Sequence, residues 1–161
     1  MPDDPDIYVL RSTGPIDVKL TSPTESLYGT RSEDRRFGIK QTIGALNAVS
    51  ADFHSKTLLR MGVGDISKLG GGQISGHASH RKGVDVDIRL PRNDGREADT
   101  TYKSSSYSRA STQILVDYFR YNNIFPVKFI FFNDAQVSHV SPWPHHDDHL
   151  HVRFDITKVS S

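Results

Sequence analysis

Cysteine is absent from all 161 residues, which excludes disulfides, thiolate metal ligation and a cysteine nucleophile together. An excess of charge of one sign is lacking too. The 20 basic and 19 acidic residues are well mixed and leave a net charge of +1, so no basic patch argues for nucleic acid and no acidic tail for a solvating segment. No run of about 18 apolar residues occurs, as a membrane-spanning helix would need. Met1-Pro2-Asp3-Asp4-Pro5-Asp6 has neither the basic nor the apolar region of a secretory signal. The chain is therefore expected to be soluble as it stands, with any leader trimmed away. Internal repeats and low-complexity segments are missing, and the length suits a single domain over 1–161 with one core.

Residues 7–10 and 16–20, separated by a turn containing Gly14-Pro15, read as a hairpin, and 21–36 as a polar loop, so that 1–36 form an N-terminal extension. From Phe37 to His54, Ile39, Ile43, Leu46, Val49 and Phe53 keep the spacing of one helical face. Residues 57–66 read as extended, and Gly70-Gly71-Gly72 as a loop. Between Val84 and Leu90, the residues Val84, Val86, Ile88 and Leu90 share one strand face, with Asp85, Asp87 and Arg89 on the other. A long polar loop, 91–107, is a candidate substrate wall. Ser108 then caps a second helix over 109–122, its inner stripe being Ala110, Ile114, Leu115, Tyr118 and Phe119. Val127–Phe132 reads as a central strand. After a Pro-Trp-Pro turn at 142–144 comes a last strand with Leu150, Val152, Phe154 and Ile156 on one face and His149, His151, Arg153 and Asp155 on the other. The pattern predicts an α+β domain: an antiparallel sheet of about four to six strands with two main helices packed on one face.

What the chain does have is clustered histidine. Six of its eight histidines lie in two short segments, His77-Ala-Ser-His80 running on to Asp87, and His145-His146-Asp147-Asp148-His149-Leu150-His151. Imidazole nitrogen and carboxylate oxygen are standard zinc ligands, and a catalytic zinc needs three protein ligands with the fourth position left for water. Neither His-Glu-x-x-His nor His-x-His-x-Asp-His occurs, which excludes the zincin and metallo-β-lactamase templates. What remains is His80-x6-Asp87 followed by His149-Leu-His151. Two residues apart on a strand, His149 and His151 project to the same side about 6–7 Å apart, and spacing alone does not rank one over the other as a ligand.

These residues resemble the superfamily of lysostaphin-type peptidases, D-Ala-D-Ala metallopeptidases and the hedgehog signalling domain. The closer resemblance is to the penicillin-insensitive murein endopeptidases, through Gly-His-Ala-Ser-His-x-x-Gly-x-Asp-Val-Asp-Ile at 76–88 and His-Asp-Asp-His-x-His-Val-Arg at 146–153. It is strong over roughly 58–90 and 139–154. The resemblance implies that His80, Asp87 and His151 hold Zn²⁺, that His149 assists deprotonation of water or stabilises the oxyanion, and that His77 and His146 surround the cleft. It further implies a peptidoglycan D,D-endopeptidase that cuts the D-alanyl to diaminopimelate cross-link, with stem peptides as partners. Such an enzyme acts in the periplasm or after secretion, as a housekeeping enzyme, phage lysin or secretion-system effector, and a monomer is expected. A carboxypeptidase or dipeptidase of the same superfamily, and a zinc-containing binding module without turnover, are the alternatives.

Zinc lowers the pKa of its water to about 7 and polarises a carbonyl. With no glutamate base in either motif, a neutral histidine, of ordinary pKa about 6.5, suits the proton transfer. Other residues have plainer roles. His54 and His139 are expected to be structural, and His145, Asp147 and Asp148 suit a turn. Asp85, on the face of Asp87, is a rival ligand or orients a ligand histidine. Trp143 is either a substrate platform or a packed turn. Arg89 and Arg153 either form salt bridges or dock a substrate carboxylate.

Overall fold

The computed structural model describes residues 15–71 and 82–158. The expected strand at 7–10, and with it the N-terminal hairpin, falls outside them, as do Gly72, His77 and His80. In chain order the elements are β1 (Val18–Lys19), β2 (Leu27–Gly29), β3 (Phe37–Gly38), α1 (Lys40–Thr57), β4 (Met61–Val63), β5 (Asp85–Arg89), α2 (Arg109–Tyr121), β6 (Val127–Phe131) and β7 (His149–Phe154). β1 and β3 pair antiparallel as a small sheet, and the other five form one sheet in the order β2-β4-β5-β7-β6. The pair β2-β4 is parallel; the remaining pairs are antiparallel. The result is the expected α+β architecture.

The apolar face of α1 is the one its periodicity requires: Ile39, Ile43, Leu46, Val49 and Phe53 are all buried. The helix begins at Lys40 rather than Phe37 because Phe37-Gly38 is taken up by β1, leaving Ile39 extended. It closes on Leu58, whose left-handed φ of 63° lets its N–H donate to the His54 carbonyl at 2.8 Å. In α2, Ser108 caps the helix by accepting from the Ser111 N–H at 3.2 Å. The buried stripe is Thr112, Leu115, Val116 and Phe119, with Ala110 exposed and Ile114 and Tyr118 half-buried, so it is rotated from the expected one. Thr112 tolerates burial because its hydroxyl donates to the Ser108 carbonyl at 2.8 Å.

The centre of the sheet is β5 against β7, with five residue pairs in register. Val86, Ile88, Leu150, Val152 and Phe154 are fully buried on one face. Phe154 meets Phe119 of α2 at 6.2 Å and stacks on Phe125 at 5.1 Å, which places the helices on that side. The opposite face is left for Asp85, Asp87, Arg89, His149, His151 and Arg153.

Three expectations at the element level are corrected. The strand at 127–131 is an edge, not central. Its register is broken by a bulge between Val127 and Phe129, and its outer side is covered by residues around Ser141, which exchange bonds of 2.9 Å with Phe132 and Ile130. Residues 21–36 are not merely a loop, since they contain β2. The segment 16–20 finds a partner in Phe37-Gly38.

Candidate metal centre

Register decides which side chains meet. Asp87 stands directly across from His151, Asp85 from Arg153 and Arg89 from His149, and residues opposed across two strands project from the same face. Asp85, 1% exposed, accepts on a single oxygen from both His151 Nε2 at 2.7 Å and Arg153 Nε at 2.8 Å. A carboxylate can only accept, so the His151 proton sits on Nε2 and Nδ1 is the nitrogen suited to a metal, the usual arrangement behind a ligand histidine. His151 and Arg153 are themselves buried beneath Phe129 and Phe131 of β6, with the Arg153 guanidinium 4.9 Å from the Phe129 ring centroid. Burial lowers the Arg153 pKa to about 10, which still leaves it protonated at neutral pH.

His149 is held differently. Its Nδ1 donates to Asp148 Oδ1 at 2.7 Å, and its Nε2 lies 3.7 Å from Asp87 Oδ1. In the neutral ring the nitrogen facing Asp87 is therefore the basic one. His146, 4% exposed, packs its ring 4.7 Å from that of His149 and 5.6 Å from that of His151. Burial is the main reason its pKa falls to about 4, and Nδ1 donates to the Pro144 carbonyl at 2.8 Å. His146 thus stays neutral wherever the fold is intact near pH 7.

A cleft of about 280 Å³ opens over this face, bordered by Asp87, His149, Asp148 and His145 on one side and by Thr30, Arg31, Gly64 and Asp65 on the other. The far wall comes from the segments after β2 and β4, which local sequence patterns did not connect with the site. Gly64 allows the close approach: its N–H donates to the Asp87 carbonyl at 2.7 Å, and a Cβ there would come within 3.3 Å of Asp87. The loop 91–107 contributes Asp99 to the cleft wall. It docks onto the histidine turn through Tyr102 N–H to the Asp147 carbonyl at 3.1 Å.

The other candidates are also placed. Arg89 donates to Asp99 at 3.0 Å and lies over Tyr28, while Arg153 is spent on Asp85, so both arginines are in ion pairs. Trp143 stacks on Phe131 at 4.8 Å. Gly70 and Gly71 lie in a short turn of 3-10 helix, Leu69–Gly71. His54 bonds the Leu59 carbonyl from α1, and His139 is exposed and offers its own carbonyl to Arg120. Among the described residues alone no three donors converge as a complete metal cage. Two of the three expected zinc ligands, Asp87 and His151, share one face with a carboxylate behind the imidazole, which fits a metal. His80, and the cleft residue His77, lie outside the described residues.

Comparison with known proteins gives two results. The sequence model of the family described as penicillin-insensitive murein endopeptidase matches residues 18–124, about two thirds of the chain. This reaches further toward the N terminus than the motif resemblance and stops before the second histidine segment. Proteins named penicillin-insensitive murein endopeptidase from Yersinia pestis bv. Antiqua and Yersinia pseudotuberculosis serotype I are each 42% identical to it over 62 residues. That stretch is 37% of this chain and 22% of each relative, so the match spans about a fifth of those proteins.

Proposed function

The chain belongs to the penicillin-insensitive murein endopeptidase family, and from that we propose that it is a zinc-dependent peptidoglycan hydrolase cutting the D-alanyl to diaminopimelate cross-link. The observation that carries the reading is the cross-strand pair Asp87 and His151, with His151 Nε2 tied to Asp85 and His149 beside Asp87 in an open cleft. His80, Asp87 and His151 would hold the ion, which when bound supplies a water acidified to near-neutral pKa and polarises the scissile carbonyl.

The chain's own groups do the rest. His149, aimed by Asp148, accepts a proton from water at Nε2 and returns it to the departing amine. His146 remains a neutral imidazole wall packed on both neighbours. Asp85 keeps His151 in one tautomer. The substrate places the protein at the cell wall, in the periplasm or secreted, and among the described residues no helix is long and apolar enough to cross a membrane. We take the working unit to be a monomer.

The test is digestion of cross-linked peptidoglycan by zinc-loaded protein in excess penicillin. With no nucleophilic serine motif there is nothing for a β-lactam to acylate, so cleavage should persist, and a zinc chelator should stop it. The expected products are uncross-linked muropeptides on intact glycan chains, with one zinc per chain by elemental analysis. Free D-alanine from monomeric pentapeptide without dimer cleavage would instead identify a carboxypeptidase, and absence of any product a binding module.

A further inference from the structure

The charges lining the cleft can be paired off. Asp65 meets Arg35 at 3.4 Å, Asp99 meets Arg89 at 3.0 Å, and Asp148 accepts from His149 at 2.7 Å. Asp87 is the proposed metal ligand. Arg153, the other cation on the site face, is 4% exposed and held by Asp85. One permanent cation of the cleft wall is left over. The Arg31 side chain is exposed, lines the cleft, and has no ion pair among the described residues.

Its backbone is nevertheless fixed to the sheet. Gly29 N–H donates to Ser22 Oγ at 2.7 Å, Thr30 N–H to the Val63 carbonyl at 2.8 Å, and the Arg31 carbonyl accepts from Arg36 Nη2 at 3.1 Å. A guanidinium with a free fork, on an anchored segment facing an open cleft, is built for bidentate contact with a carboxylate. We infer that Arg31 is the carboxylate-docking residue of this cleft. Its ligand is the free carboxylate on the substrate carbon that bears the leaving amine. The assignment rests on the hydrolase reading above for the identity of that carboxylate. It moves substrate anchoring away from Arg89 and Arg153, which are ion-paired to Asp99 and Asp85 within the fold, to a residue on the opposite wall.

The test uses two defined cross-linked muropeptide dimers that differ only in this group, carboxylate in one and carboxamide in the other. Affinity is measured by calorimetry on zinc-loaded protein in a His149→Ala background, so that turnover does not consume the ligand. Cleavage is followed in parallel with His149 intact. A hydrogen-bonded charge pair of this kind corresponds to roughly a 10–100-fold preference for the carboxylate dimer. Arg31→Ala should abolish the preference by weakening only the carboxylate dimer, and Arg31→Lys should restore part of it, keeping the charge without the fork. A preference unchanged in Arg31→Ala overturns the assignment, as does no preference, or no binding of either dimer, with Arg31 intact. An intact preference with no cleavage sinks the hydrolase reading and leaves Arg31 in place.

Discussion

Asp85 and Asp87 are two residues apart on one strand face, and their types do not distinguish them. Their partners do: Asp85 holds His151 and Arg153, while Asp87 faces His149. Asp85→Asn should therefore weaken zinc binding by about 10–100-fold, the usual cost of losing the group behind a ligand histidine. His149→Ala should keep its zinc and lose about 10²–10⁴-fold in rate. Competition titration with a zinc chelator, on variants whose circular dichroism matches the parent, separates the two. If Asp85→Asn binds zinc as tightly as the parent, or His149→Ala loses it, the division of roles is wrong. Sequence showed that these side chains share a face because strand alternation is local. It could not show who bonds whom, because that depends on a register between segments 66 residues apart.

At the scale of elements, Asp134 ties three pieces together after β6. It accepts from Tyr107 Oη at 2.8 Å at the end of the long loop, from Arg109 Nε at 2.8 Å in the first turn of α2, and from the Gln136 N–H at 3.0 Å. Burial alone would raise its pKa, but these donors outweigh burial and hold it below the ordinary carboxylate value. A carboxylate lowered in the folded state adds stability above its unfolded pKa of about 3.9, and that share is lost as pH falls through the folded value. Asp134→Asn should cost about 1–3 kcal/mol at pH 7, with the gap to the parent narrowing toward pH 3 in denaturant titrations. A gap independent of pH would mean the charge is not what matters. Elements with strong periodicity, α1, β5 and β7, were legible in sequence. β2 was not, since it is three residues long and only Leu27 is fully buried. β6 reads as central because it is apolar, yet its second apolar face, Phe129 and Phe131, covers His151 rather than a core.

For the molecule as a whole, the α+β class followed from pattern, and strand alternation put Asp87 and His151 on the site faces of the two strands that pair. The cleft opposite them did not follow from pattern, because its wall comes from a parallel pairing of β4, in a segment that read as extended, with β2, in a segment that read as a loop. The register that brings Asp87 to His151 also has a consequence in time. Contacts so distant in sequence form only after a large loop has closed, so each half-motif meets the unfolded chain's zinc alone and binds it poorly. Zinc should then act on escape from the native state and not on its formation. At zinc about 100-fold above its dissociation constant the native state gains about 2.7 kcal/mol, and stopped-flow measurements should find unfolding slowed by roughly 100-fold with the refolding rate unchanged. Refolding accelerated by that factor would mean that the two strands meet early. Otherwise a bound metal would serve as a latch that closes after the chain has folded, and its removal would set how long the protein lasts.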